Sequence, residues 1–89
     1  MKAIITVVGC DTVGILAKVS AVCSENNANI IDVTQSVLKD IFTMVMLVDT
    51  SACEQSIGEM SDILGKAGEE QALSIRIQRE DIFNAMHRI

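Results

Sequence analysis

Four stretches of the chain have the spacing of strands, and they fall into two kinds. Residues 3–8 and 41–48 are almost continuously apolar, as strands are when neighbours cover both sides. Residues 29–38 and 72–78 alternate instead. In the first of these, Ile31, Val33 and Val37 stand against Asp32, Thr34 and Ser36; in the second, Leu73, Ile75 and Ile77 stand against Ser74, Arg76 and Gln78. Such alternation marks strands with one wet face.

Helical spacing fills the gaps. Over residues 15–26, Ile15, Leu16, Val19, Val22 and Cys23 share one side, with Lys18 and Glu25 on the other. Asp11 or Thr12 supplies a cap, and the run of residues 26–29, Asn-Asn-Ala-Asn, ends the helix. Lys39-Asp40 predicts a hairpin turn. A second helix opens at Thr50-Ser51, where Ser51 and Glu54 have capping-box spacing. Its face is Cys53, Ile57, Met60, Leu64 and Ala67, and Gly68 terminates it. A short final helix over residues 81–88 carries Ile82, Phe83 and Met86 on one side.

The order is β-α-β-β-α-β plus a tail helix. This is the α+β, ferredoxin-like split βαβ arrangement. Two right-handed crossovers give a four-stranded antiparallel sheet in the spatial order 4-1-3-2, with both helices on one face. The hydrophobic pattern agrees, since the two continuously apolar strands are the two that this order places centrally. The 89 residues form one domain, 1–89.

One sheet face is then left without helices, yet Ile4, Ile5, Val7 and Met44 to Leu47 must point both ways. Burying one such side chain is worth roughly 1.5–3 kcal/mol. Either the tail helix or a second subunit covers the open face, and we expect a homo-oligomer, at least a dimer.

Composition narrows the partners. The chain is 49% hydrophobic and only 2% aromatic, with 12 acidic residues against 7 basic ones and a net charge of −5. Neither a basic patch nor a stacking platform is present, so nucleic acid is not an expected partner. No segment is long enough to span a bilayer, and a membrane is not expected either. Three cysteines, Cys10, Cys23 and Cys53, match no zinc or thioredoxin spacing. Reduced thiols fit a cytoplasmic protein.

The candidate chemistry sits in the turn Gly9-Cys10-Asp11-Thr12-Val13-Gly14. It joins the first strand to the first helix. The first N–H groups of a helix lack intrahelical partners, and the dipole there is positive. A small anion such as an amino-acid carboxylate suits that position. Gly14 either lets a ligand approach the backbone or permits tight helix packing. Asp11 is a cap first, and a partner for a ligand ammonium second. Cys10 lies near the same helix start but has no histidine nearby in sequence; Cys23 and Cys53 read as core filler. His87 has no neighbouring metal ligands. Asp32, Thr34 and Gln35, on an edge strand, either select a ligand or prevent unwanted pairing.

These residues carry a resemblance. The turn of residues 8–16, Val-Gly-Cys-Asp-Thr-Val-Gly-Ile-Leu, followed by Asn29-Ile30-Ile31-Asp32, resembles an ACT domain over nearly the whole chain. Residues 32–37 and 82–86 add to a likeness with the small stand-alone members. More distantly, the chain is similar to the ACT halves of the glycine-cleavage repressor and of formyltetrahydrofolate deformylase. The family comprises small ligand-binding modules that regulate amino-acid metabolism. The resemblance implies a ligand held between the first turn of one subunit and strand two of another. The residues implied are Asp11, Thr12, Val13, Gly14 and Ile15 from the turn, with Asn29, Ile30 and Ile31 from the partner strand. Cys10 departs from the polar or charged residue common in relatives.

The resulting expectation is a regulatory module binding a small metabolite, an amino acid above all, without cofactor, metal or catalysis. The alternative is a non-catalytic interaction subunit that docks a partner enzyme through its sheet. An acylphosphatase-like enzyme would need an arginine in residues 9–14, and a copper chaperone would need two cysteines there; the turn has neither.

Overall fold

A computed structural model describes residues 2–10, 14–70, 73–81 and 84. The elements are β1 (Lys2–Gly9), α1 (Ile15–Glu25), β2 (Asn29–Leu38), β3 (Ile41–Asp49), α2 (Ile57–Glu70) and β4 (Ser74–Arg79). The four strands form one antiparallel sheet in the order β2-β3-β1-β4. This is the βαββαβ topology expected from the pattern, with β1 and β3 central. Glu80, Asp81 and Asn84 have helical backbone; the rest of the expected tail helix lies outside the described residues.

Register explains the core. Ala3 pairs with Val48, Ile5 with Met46 and Val7 with Met44, while β4 adds Ile77 beside Ile5 and Ile75 beside Val7. Paired residues point to the same side of a sheet. All of these are buried, and they pack with Ile15, Val19, Val22 and Cys23 of α1 and Met60, Leu64 and Ala67 of α2. Leu16, expected on that face, is instead 40% exposed.

The end of α1 is closed by its asparagines. Asn27 has φ 61°, and Ala28 N–H donates to the Cys23 carbonyl at 2.8 Å while Asn27 N–H donates to Ser24 at 3.2 Å. This pair of bonds around a left-handed residue is the Schellman arrangement.

The second helix begins later than its pattern implies. Ser56, not Ser51, precedes it. The Ser56 N–H donates to Glu59 Oε1 at 3.1 Å, and the Glu59 N–H donates to Ser56 Oγ at 3.1 Å. That is a capping box five residues further along the chain. Ser51 serves another turn: its N–H and hydroxyl both donate to Asp49 Oδ1, at 2.9 and 2.6 Å. Gly68 does not end α2, which continues to Glu70.

On β2 the register slips between Ile30 and Asp32. Ile30 and Val33 stay against the core. Ile31 is the extra residue of the bulge and is 46% exposed, so it does not share the inward side with Val33 as the alternation had implied.

Candidate functional site

β1 ends at Gly9 and leads through the exposed Cys10 to Gly14. Asp11, Thr12 and Val13 lie outside the described residues. Gly14 itself takes the N-cap position of α1, with φ 74° and ψ 3°. Its carbonyl accepts the first helical bond, from Lys18 N–H at 2.9 Å. The expected caps, Asp11 and Thr12, therefore do not hold the N-cap position, and the residue that does has no side-chain oxygen to offer the helix. The first helical N–H groups lack intrahelical acceptors by construction.

Gly14 is exposed, and a methyl group built on it would meet nothing within 4 Å. Tight packing therefore does not account for a glycine here. Its left-handed φ does, and the space a side chain would take at this position is open. Gly9 is the contrary case, because a Cβ there would collide with the Leu73 side chain. Ile15 is buried and anchors the helix to the core, whereas Leu16 is exposed.

The remaining predicted residues lie at the other end of the sheet. Asn29 pairs with Asp49, which pairs with Lys2, whereas Gly9 pairs with Phe42 at the far end of β1. With strand rise near 3.3 Å per residue, roughly 20 Å separates the two groups. Asn29 is exposed, Ile30 half-buried and Ile31 exposed on the bulge. One chain therefore does not bring Gly14 and Ile15 together with Asn29, Ile30 and Ile31. The bulge was missed from sequence, although the adjacent isoleucines at 30 and 31 were its signal.

The Cys23 thiol is pushed up to about 11, first by burial and then by the negative field of Cys53. Cys53 is raised by burial and by Asp49. Both thiols stay neutral at neutral pH, Cys23 in the core and Cys53 partly buried against it. Among the described residues no group of three or more His, Cys, Asp and Glu could hold a metal; His87 lies outside them. A hollow of about 350 Å³ on the outer side of α2, lined by Ser61, Asp62, Gly65, Lys66 and Glu69, includes no predicted site residue. No described helix is long and apolar enough to cross a membrane.

The model of the ACT domain matches residues 2–78. The chain belongs to the ACT domain family. It is 49% identical over 88 residues to the UPF0237 protein MK1213 of Methanopyrus kandleri, covering 99% of this chain and 98% of that one. An ACT domain protein from Streptococcus pneumoniae has a structure matching with TM-score 0.84 at 41% identity, over 93% of each chain. A formyltetrahydrofolate deformylase from Pseudomonas syringae shares the fold, with TM-score 0.78 at 21% identity over 88% of this chain and 27% of the enzyme. ACT domains are regulatory modules that bind small molecules, and the likeness here covers the strand, turn and helix start that frame Gly14.

Proposed function

We propose that this ACT domain is a stand-alone cytoplasmic regulatory module that binds an amino acid at a subunit interface, without catalysing a reaction. The ligand carboxylate sits on the N–H groups at the start of α1, beside Gly14 and Ile15, and Asp11, Thr12 and Val13 are the further ligand residues on this chain. The partner's Asn29, Ile30 and Ile31 complete the site.

The observation that carries this reading is the open space at Gly14: a left-handed, side-chain-free N-cap facing solvent at the positive end of an eleven-residue helix. Topology supports the partner's share. β2 is an edge strand. If two copies pair antiparallel through β2, the Asn29 end of one lies beside the Leu38 end of the other, which is the end where β1 hands over to α1. A ligand touching both copies then favours their association.

A thermal-shift screen of the amino acids, run on the wild type and on Gly14→Asn, tests the reading. Asparagine tolerates the left-handed backbone but fills the open space. A ligand at 100 times its Kd adds about 2.7 kcal/mol, a rise of several degrees or more for a domain this size. At least one amino acid should raise the wild-type melting temperature, and Gly14→Asn should melt normally but show no rise. No response to any amino acid would overturn the reading.

Exposed apolar residues at the β2–β3 hairpin favour a second reading. Val37, Leu38 and Ile41 are 64%, 72% and 49% exposed, and such a patch suits a docked partner enzyme. A heteromeric complex that survives Gly14→Asn unchanged would select it.

A further inference from the structure

Two of the three cysteines meet at one end of the fold, and the proposed ligand site uses neither. Cys23 stands two residues before the end of α1 and is fully buried. Its carbonyl accepts the Ala28 N–H at 2.8 Å, which sets it directly behind the start of β2. Asn29, the next residue, pairs with Asp49 at the end of β3. Past Asp49 the chain turns, and the Cys53 N–H donates to the Thr50 carbonyl at 3.0 Å. Cys53 is partly buried and packs against the core cluster that contains Cys23.

Helix direction agrees. Lys18, in the first turn of α1, pairs with Glu70, the last residue of α2, at 3.4 Å, so the two helices run antiparallel. The last turn of α1 then lies towards the end of α2 that residues 50–56 lead into. The thiols also feel one another. After burial, the negative field of Cys53 is the second cause that raises Cys23, and such a coupling needs proximity. Cys10 is the contrast: it is exposed and follows Gly9, at the opposite end of β1, roughly 20 Å away.

We infer that Cys23 and Cys53 are a paired dithiol that a small-molecule disulfide closes to an intramolecular disulfide, locking the end of α1 to the segment that leads into α2. Cys53, the more accessible of the two, reacts first. Its thiolate attacks one sulfur of the small disulfide, that S–S bond breaks, and the departing small thiolate takes up the proton that Cys53 released. Cys23 then gives up its proton, and its sulfur attacks the Cys53 sulfur of the mixed disulfide and expels the second small thiol. Two protein thiols lose two electrons, and the small disulfide is reduced to two thiols; a reductant reverses the change. Both protein thiols are held neutral at neutral pH, so closure is slow. The closed loop, residues 23 to 53, contains the whole β2–β3 hairpin, and the bond restricts the unfolded chain far more than the folded one.

Oxidised glutathione on the full chain tests this, read by intact mass, non-reducing peptide mapping and melting temperature. Cys10→Ser should lose two hydrogens, give one peptide pair joined through residues 23 and 53, and melt several degrees higher, an increase that dithiothreitol removes. The wild type should do the same and carry one glutathione on Cys10. Cys10→Ser combined with Cys53→Ser should show no rise. A second sample of Cys10→Ser is oxidised in urea and refolded, so that slow access to Cys23 in the folded chain does not decide the result. A 23–53 bond in either sample, with a higher melting temperature, supports the pair. The inference is overturned if the bonded, refolded chain lacks the circular dichroism of the reduced chain or melts no higher than it. It is equally overturned if glutathione stays on both thiols of both samples in place of a 23–53 bond. Loss of the amino-acid response alone would leave it standing.

Discussion

Gly68 and Leu73 meet through their backbones at the crossing of α2 and β4. The Leu73 N–H donates to the Gly68 carbonyl at 2.8 Å, and a methyl group on Gly68 would lie 2.7 Å from the Leu73 carbonyl oxygen. The helix can approach the strand this closely only because position 68 has no side chain. Gly65, one turn earlier, has nothing within 4 Å of such a methyl group. The same substitution should therefore act in opposite directions at the two positions. Gly68→Ala should destabilise by about 1–3 kcal/mol through overpacking, less what the helix gains from alanine. Gly65→Ala should stabilise by up to about 1 kcal/mol. Urea unfolding of both variants checks the contrast, which equal shifts would contradict.

The start of α2 rests on reciprocal bonds between Ser56 and Glu59. Ser56→Ala should cost about 1 kcal/mol, the usual value for a lost N-cap. Amide exchange should show the loss concentrated in the first turn of α2. Ser51→Ala leaves those bonds in place and should not change protection in that turn, because its partner is Asp49 in the preceding turn.

These two serines show where sequence reading stops. The Ser-x-x-Glu pattern occurs at both 51–54 and 56–59, and Cys53 sits four residues before Ile57, so the apolar period runs back past the true helix start. Only the turn closed by Asp49 breaks the tie. The β2 bulge was hidden in a similar way, since Ile31 and Val33 look like neighbours on one face until the register slips at Ile31. Strand order was legible because it depends on burial over whole strands: residues 3–8 and 41–48 are apolar throughout, and no local turn can disguise that. The turn before α1 was legible only in part. Gly14 was legible as a glycine before a helix, but its reason, a positive φ facing open space rather than close packing, depends on atoms distant in sequence.

Cys23 gives a pH signature. Its thiol is raised from an ordinary 9.0 to about 11 in the folded chain, so folding favours the neutral form. That contribution is complete below the ordinary value and is lost as the pH climbs through about 11. Wild-type stability should therefore fall between those limits, and Cys23→Ala should show a shallower fall from a lower starting point. A thiol reagent at pH 8 should label the exposed Cys10 first and the buried Cys23 last. Parallel alkaline slopes for wild type and variant would contradict the assignment.

Lys39 begins the two-residue turn between Leu38 and Ile41 with φ 55°. A left-handed backbone costs a residue with a Cβ roughly 1–2 kcal/mol, and asparagine or glycine much less. The turn lies beyond the last pair joining β1 to β3, Gly9 with Phe42, so β1 does not brace it and the hairpin's own ladder must hold the strained residue. Lys39→Asn should therefore raise stability by about 1 kcal/mol, and Lys39→Val, β-branched and least tolerant of positive φ, should lower it. Because the change is confined to the turn, the urea m-value should stay constant and only the midpoint should move. Equal midpoints for the asparagine and valine variants would mean that the turn does not impose this conformation in solution.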